Sequence, residues 1–146
     1  KKMKSKKGFT LIELLVVIAI IGILSSIVFF AMRGATARAR DSKIISAMSQ
    51  LRSFAEMYYH DNNASYANLC TNASTTIPEW GTAMNEIDSN NGTYAAPSCN
   101  ADNTAGTAYC IEVQLNNGNW WCIDSSAVSK QYSSDPRCSG SDFTCD

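Results

Sequence analysis

The sequence predicts an α+β fold in which one long N-terminal α-helix packs on a small antiparallel β-sheet with disulfide-stapled loops. Three observations lead to this prediction. Residues 9–60 contain no proline and carry first an uncharged apolar run and then a one-sided apolar stripe. Residues 108–124 contain two apolar-rich segments around an Asn-Gly turn. All six cysteines lie beyond residue 60, in the polar part of the chain.

The N-terminal segment combines a basic head with an apolar helix. Lys1 to Lys7 contains five lysines, and the run from Leu14 to Ala31 has 18 residues and no charge. That length is at the threshold for crossing a bilayer. Because basic residues favour the cytoplasmic side, the lysines predict a cytoplasmic N-terminal end and an outward-facing remainder.

A small residue, Gly8, precedes the apolar core, whereas a secretory signal carries its small-residue cleavage site after the core. Cleavage after Gly8 would remove the lysines and keep the helix. The stretch Gly8-Phe9-Thr10-Leu11-Ile12-Glu13, followed by Leu14 to Ile21, closely resembles the N-terminal signature of type IV prepilins. The resemblance implies that prepilin peptidase removes residues 1–8, that Phe9 is N-methylated, and that pilus assembly machinery builds a helical filament of identical subunits.

Glu13 has two interpretations. A carboxylate in an apolar helix is costly in hydrocarbon, so it is normally paired or functional. Cleavage would place an α-ammonium on Phe9, one turn earlier, and Glu13 of one subunit would then pair with the Phe9 amine of a neighbour and set the register. The alternative is that Glu13 reaches back to the lipid headgroups.

The helix is expected to continue from residue 9 to residue 60. Residues 9–32 form the transmembrane or filament-core half, and residues 33–60 are amphipathic, with a stripe made of Ile44, Met48, Leu51, Ala55 and Tyr58. The turn-prone Asp61-Asn62-Asn63 ends it. Many type IV pilins have a proline midway along this helix. Phe30 stands there in this chain, so any melting would have to use Gly22 or the Ser25-Ser26 pair.

Residues 61–146 are predicted to form a globular head. Residues 61–106 read as a variable loop, with a short helix starting at Pro78. A hairpin follows within 108–124, with Asn117-Gly118 at its tip. That tip sets Leu115 opposite Trp120, Val113 opposite Cys122 and Ile111 opposite Asp124. The expected helix-facing residues are then Tyr109, Ile111, Val113, Leu115, Trp120 and Cys122, with Cys110 on the other face and unable to bond Cys122.

An even number of cysteines confined to an exported region favours disulfides. The cysteines are Cys70, Cys99, Cys110, Cys122, Cys138 and Cys145. None of their spacings suits zinc, and the pairing stays open from sequence. The tail from Cys138 to Cys145 loosely resembles the C-terminal disulfide loop of many pilins, and this resemblance favours a Cys138–Cys145 bond.

Charge and motifs exclude several functions. The formal net charge is −1, and loss of the five leader lysines would leave 7 basic and 13 acidic side chains, or −6. An acidic head argues against general nucleic-acid binding. The basic band of Arg33, Arg38, Arg40 and Lys43 would meet anionic headgroups or acidic neighbours, or stay solvated.

The carboxylates near the C-terminus were candidate calcium ligands, but Asp135, Asp142 and Asp146 lack the spacing of an EF-hand loop. No metal or cofactor is expected.

The sequence favours one of three candidate functions. The preferred one is a structural pilin subunit, inserted in the inner, cytoplasmic membrane before assembly and part of an extracellular filament afterwards, serving adhesion, twitching motility or DNA uptake. The alternative is a pseudopilin of a type II secretion or competence system, which shares the same N-terminus. A membrane-anchored enzyme fits poorly, because His60 is the only histidine and no nucleophile motif or phosphate loop accompanies it. No enzymatic activity is therefore expected.

Overall fold

The computed structural model describes residues 8–145, apart from the side chain of Arg33, so the predicted basic leader Lys1–Lys7 lies outside the described residues. The chain divides into two compact units, with the boundary between Thr36 and Ala37. Its elements in order are α1 (Leu11–Asp61), α2 (Leu69–Thr76), α3 (Pro78–Asn90), β1 (Ser98–Ala101), β2 (Tyr109–Gln114), β3 (Trp120–Asp124) and β4 (Ser129–Tyr132). The predicted α+β fold is confirmed.

Helix α1 is continuous and confirms the predicted long helix. It passes through Gly22 and the Ser25-Ser26 pair without a break, and Ser26 Oγ donates to the Ile23 carbonyl at 2.7 Å. In the second unit, one face of α1 is buried, and it is the predicted stripe of Ile44, Met48, Leu51, Ala55 and Tyr58. That stripe and the inner face of the sheet share one apolar core.

The region between α1 and the sheet is more ordered than the sequence predicts. Helix α3 begins at Pro78, as expected for proline in a first helical turn. The interpretation of residues 61–106 as a loop is wrong for α2 and for β1. Helix α2 is held by Leu69 and Ala73, which are buried four residues apart on one face.

The sheet is antiparallel, with strand order β1-β2-β3-β4. In the central pair, Ile111 lies opposite Ile123 and Val113 lies opposite Trp121. The predicted register is therefore wrong by one residue. As predicted, the alternate residues of β2 and Leu115 face the core, but Trp120 and Cys122 lie on the outer face instead of the core face.

The turn between β2 and β3 explains the shift in register. Leu115 N donates to Asn119 O at 2.7 Å, and Gly118 N donates to Leu115 O at 3.0 Å, so residues 116–118 form a three-residue turn. Gly118 has a φ of 86°, the left-handed conformation that this type of turn needs. Because side chains alternate with a period of two, one extra turn residue moves every side chain of β3 to the opposite face.

The same turn is fastened to α1 by Asp41. The Asp41 carboxylate is buried and its Oδ1 accepts hydrogen bonds from Asn116 N at 2.7 Å and Asn116 Nδ2 at 2.9 Å. Asn116 Nδ2 also donates to the carbonyl of Asn90, at the end of α3. One asparagine thus joins the helix, the hairpin turn and α3.

Three disulfides join the six cysteines, as Cys70–Cys99, Cys110–Cys138 and Cys122–Cys145. The expected Cys138–Cys145 bond is wrong. The physical reason is that β2 and β3 each present one cysteine on the outer face of the sheet, and the tail that crosses this face bonds to both. As expected, Cys110 and Cys122 do not bond each other.

Two carboxylates on the outer face reinforce these bonds. Strand β2 carries Cys110 and Glu112, and β3 carries Cys122 and Asp124, so each strand has a cysteine and an acid two residues apart on one face. The N–H of Cys138 donates to Glu112 Oε2 at 3.0 Å. The N–H of the other tail cysteine, bonded to Cys122, donates to Asp124 Oδ2 at 2.9 Å. Each tail cysteine is therefore held at its sulfur and at its backbone.

The stability of the head is expected to depend on the protonation of Glu112. Burial raises the pKa of Glu112 above its ordinary value of 4.5, and the negative charges of Asp135 and Asp142 raise it further, although the Cys138 N–H opposes this. The folded state then binds more protons than the unfolded state between pH 4.5 and the raised pKa. Stability must therefore fall as pH rises through that window.

Glu112→Gln tests this dependence, because glutamine keeps an acceptor oxygen for the Cys138 N–H and removes the charge. Urea unfolding midpoints measured from pH 4 to pH 7 should fall with pH less steeply in the variant than in the wild type. At neutral pH the variant should be at least as stable. Parallel midpoint curves would contradict the assignment of the slope to Glu112.

Candidate functional site

The N-terminus of α1 is closed by a reciprocal pair of hydrogen bonds between Thr10 and Glu13. Thr10 precedes the first helical residue, Leu11, and its N–H donates to Glu13 Oε2 at 2.9 Å. Glu13 N–H donates to Thr10 Oγ1 at 3.3 Å. This is a capping box, in which the threonine at the cap position and the glutamate three residues later satisfy each other's free N–H groups.

The two oxygens of Glu13 are in different environments. Thr10 Oγ1 also donates to Oε2, at 2.7 Å, so Oε2 accepts both hydrogen bonds that Thr10 donates. Among the described residues, no donor contacts Oε1. The carboxylate can therefore cap its own helix through one oxygen and bind a cation from another molecule through the other. The two interpretations of Glu13 given by the sequence are thus joined by a third role, capping.

Gly8, Phe9 and Thr10 form a short non-helical segment before the helix, and all three are exposed. A Cβ atom added to Gly8 would meet nothing within 4 Å. Local packing therefore gives no reason for glycine at this position. An exposed, non-helical backbone with a minimal side chain is suited to entry into the active site of a peptidase.

The first half of α1 is apolar on every side, and among the described residues its large apolar side chains are exposed. By length and composition alone, α1 is the one described helix that is able to cross a membrane. Phe30 illustrates the exposure, since 85% of its surface is accessible. The other large exposed apolar side chains between Phe9 and Met32 are Leu11, Ile12, Leu14, Leu15, Val16, Val17, Ile18, Ile20, Ile21, Ile23, Leu24, Ile27, Val28 and Phe29.

The residues predicted from the sequence lie in two regions of the structure. Gly8 and Phe9 precede α1 and Glu13 lies in its first turn, whereas the six cysteines all belong to the second unit. Sequence reasoning missed Thr10. The pattern threonine-x-x-glutamate just before an apolar run is the signature of a capping box and identifies it.

Among the described residues, those with side chains suited to catalysis or metal binding are not gathered into a site. His60 is exposed at the end of α1, and its Nδ1 lies 3.8 Å from Asp61 Oδ1. Asp142 Oδ1 accepts hydrogen bonds from Thr144, and Asp135 Oδ1 accepts one from the Arg137 N–H. Asp146 lies outside the described residues. Within residues 8–145, no group of three or more potential metal ligands is present.

Comparison with known proteins identifies a family motif in the N-terminal part of the chain. A family profile described as the prokaryotic N-terminal methylation motif matches residues 3–29. The type IV wide pilus major component PilA4 of Thermus thermophilus is 44% identical over 66 residues, which are 45% of this chain and 50% of that protein. The chain thus spans about half the length of this relative. No solved structure matches the fold.

Two further relatives extend the comparison. A fimbrial protein of Neisseria meningitidis serogroup B is 32% identical over 123 residues, covering 80% of this chain and 72% of that protein. The type II secretion system core protein G of Klebsiella michiganensis is 40% identical over 62 residues, covering 42% of this chain and 44% of that protein. The similarity to the fimbrial protein includes the head, whereas the match to protein G spans a smaller share of both chains.

Proposed function

This chain belongs to the type IV pilin family, and from that premise we propose that it is a structural subunit that polymerises through its N-terminal helix into a type IV pilus. The exposed apolar half of α1 carries the proposal. Leaving these side chains in water costs on the order of tens of kcal/mol. The helix is therefore stable only in lipid or among copies of itself.

Processing prepares the helix for assembly. Prepilin peptidase cleaves after Gly8 and removes residues 1–8 with their five lysines. The new N-terminal residue, Phe9, is then N-methylated. The exposed, non-helical backbone at residues 8–10 and the matched methylation motif support this order of events.

Glu13 sets the register between subunits. Its Oε1 has no donor among the described residues, and cleavage creates a cation on Phe9, at the same end of the helix. In an apolar bundle a charge is stable only when it is paired. The Phe9 amine of one subunit therefore binds Glu13 of its neighbour, while Oε2 continues to cap the helix.

The subunit passes through two locations. Before assembly, residues 9–32 span the cytoplasmic membrane and residues 61–146 form the head outside it, joined by the amphipathic residues 33–60. Pilus assembly machinery then moves the helix from lipid into a bundle of identical helices. Each subunit contacts the next through different surfaces, and such heterologous contacts build an open helical filament instead of a closed ring. The filament serves adhesion, twitching motility or DNA uptake.

A pseudopilin of a type II secretion or competence system is the second candidate. The 40% identity to the type II secretion core protein G favours it. Both functions use the same N-terminal helix, and the difference lies in where the polymer is found. A pilin forms filaments that extend from the cell surface, whereas a pseudopilin stays in the envelope.

Mass spectrometry of filaments sheared from the cell surface tests the proposal. The expected dominant species is a chain that begins at N-methylated Phe9. A processed chain confined to the envelope fraction would favour the pseudopilin. An uncut chain that still begins with the lysines would contradict filament assembly altogether.

A further inference from the structure

Charge is strongly segregated within the second unit. The segment from Arg38 to Lys43 has three basic side chains, Arg38, Arg40 and Lys43. Residues 53–129 contain no lysine or arginine at all but carry eight carboxylates: Glu56, Asp61, Glu79, Glu86, Asp88, Asp102, Glu112 and Asp124. Glu112 and Asp124 are buried, and the other six carboxylates lie at the surface, so one chain carries both a basic segment and an acidic surface.

No described carboxylate of the same chain neutralises the basic segment. Arg38, Arg40 and Lys43 are exposed, and none of them forms an ion pair with a described carboxylate. Asp41 lies among them in sequence, but its carboxylate is buried and binds Asn116 at 2.7 and 2.9 Å. The three cations are thus available to an acidic partner.

An open cavity beside α3 combines apolar walls with one carboxylate. It has a volume of about 180 Å³ and is lined by Met84, Asn85, Asp88, Ala96 and Pro97. Asp88 is exposed and forms no ion pair with the described residues. The cavity, which we call the Asp88 pocket, therefore offers three apolar residues and the Asn85 amide beside a negative charge.

We propose that the Asp88 pocket receives a basic side chain from the Arg38–Lys43 segment of a second copy of this chain. Lysine and arginine have apolar stems and charged tips, and they bury the stem while the tip meets an anion. Met84, Ala96 and Pro97 suit the stem, and Asp88 suits the tip. A second copy is the partner because the same chain supplies both charges, so each subunit of a polymer presents a basic segment to one neighbour and a pocket to another.

This inference rests on the proposed filament and adds a contact between heads to the contact between helices. The contact between heads also gives a role to the basic segment, which is not needed for packing of the apolar helices. Because opposite charges attract before contact, the pair would orient an incoming subunit as well as hold it.

Asp88→Lys tests the contact in the full chain, with Glu86→Lys as the matched control. Both residues are exposed acids of α3, and two residues apart on a helix they point to nearly opposite sides, with only Asp88 in the pocket. Placing a lysine against the basic segment should lower the yield of sheared filaments by about tenfold or more, because like charges at an interface repel. The control should stay within about twofold of the wild type, as an isolated surface charge contributes little.

Charge exchange identifies the partner side chain. Asp88→Lys is combined in turn with Arg38→Glu, Arg40→Glu and Lys43→Glu, and one combination should restore most of the filament yield. Rescue by none of the three would overturn the inference. If Asp88→Lys lowers the amount of chain in the membrane, Asp88→Asn is compared instead, and a severalfold loss of filaments is expected.

The inference and the proposed function fail in different ways. Normal wild-type filaments together with undiminished Asp88→Lys or Asp88→Asn filaments would overturn the head contact alone. A wild-type chain that forms no filaments would contradict the proposed function, and the head contact would fall with it.

Discussion

Cells that express Glu13→Gln are expected to insert the chain into the membrane normally and to produce almost no filaments. Glutamine has the same shape as glutamate and also serves at the third position of a capping box. The hydrogen bond from Thr10 N, 2.9 Å long in the wild type, therefore has an acceptor in the variant. The variant removes the charge and leaves the cap, so it isolates the proposed role of the carboxylate between subunits.

The expected loss is large because the partner charge remains. Without Glu13, the Phe9 amine of the neighbouring subunit would be buried in the apolar bundle with no counter-ion. Removing one member of a buried ion pair typically costs about 3–5 kcal/mol, or roughly a hundredfold or more in affinity for each added subunit. The measurement is the yield of sheared filaments, normalised to the amount of processed chain in the membrane.

Thr10→Ala is the matched control for Glu13→Gln. It removes the hydroxyl that accepts the Glu13 N–H and donates to Glu13 Oε2, and it keeps the charge of Glu13. Loss of a helix cap costs about 0.5–2 kcal/mol, so a milder loss of filaments is expected. Filaments of Glu13→Gln at wild-type yield would contradict the intersubunit pair and leave Glu13 with a capping role only.

The sequence predicts α1 well because its signals are long-range and redundant. An uncharged apolar run followed by an apolar stripe at helical spacing is explained most simply by one continuous helix. The turn-prone Asp61-Asn62-Asn63 marks the end of that helix. The observed helix, Leu11–Asp61, agrees closely with the predicted range of 9–60. Gly8, Phe9 and Glu13 are identified by one short specific pattern at the start of this helix.

The sheet is harder to predict because its register depends on a single turn residue. A two-residue turn at Asn117-Gly118 and the observed three-residue turn at 116–118 use the same glycine. They differ by one position, and that position decides whether Cys122 faces the core or the tail. The disulfide pairing inherits this uncertainty, since Cys122 reaches Cys145 only from the outer face.

Helix α2 lacks a sequence signal of comparable strength. Most of its eight residues are Thr, Asn and Ser, which are weak helix formers. It is stabilised by tertiary contacts that the local pattern does not reveal: Leu69 and Ala73 are buried in the core, and Cys70 is bonded to Cys99 of β1. The pairing of β1 and β4 with the central strands depends equally on contacts distant in sequence.

Asp124→Asn is expected to destabilise the head by about 2–4 kcal/mol, because both oxygens of a carboxylate that is only 1% exposed are in use. Oδ1 accepts the N–H groups of Ser126 at 2.8 Å and Val128 at 3.1 Å, and Oδ2 accepts that of Cys145 at 2.9 Å. Asparagine has one acceptor oxygen and one donor NH₂ group. Whichever way it turns, its NH₂ group faces a backbone N–H that then loses its acceptor, either the buried one of Cys145 or the less buried ones of Ser126 and Val128.

Asp102→Asn is the control, because Asp102 is only half-buried and has hydrogen bonds similar to those of the buried Asp124. Asp102 Oδ1 accepts two backbone N–H groups in its loop, and Asp102 Oδ2 accepts the hydroxyl of Thr107. Water can replace these lost bonds at the surface, so a loss of about 1 kcal/mol or less is expected. Urea unfolding of the two variants, with peptide mapping of disulfides after reduction and reoxidation, gives the comparison. Because Asp124 holds Cys145 beside Cys122, Asp124→Asn alone should also yield mispaired cysteines. Equal stability of the two variants, with native pairing in both, would show that the disulfides place the tail without help from the carboxylate.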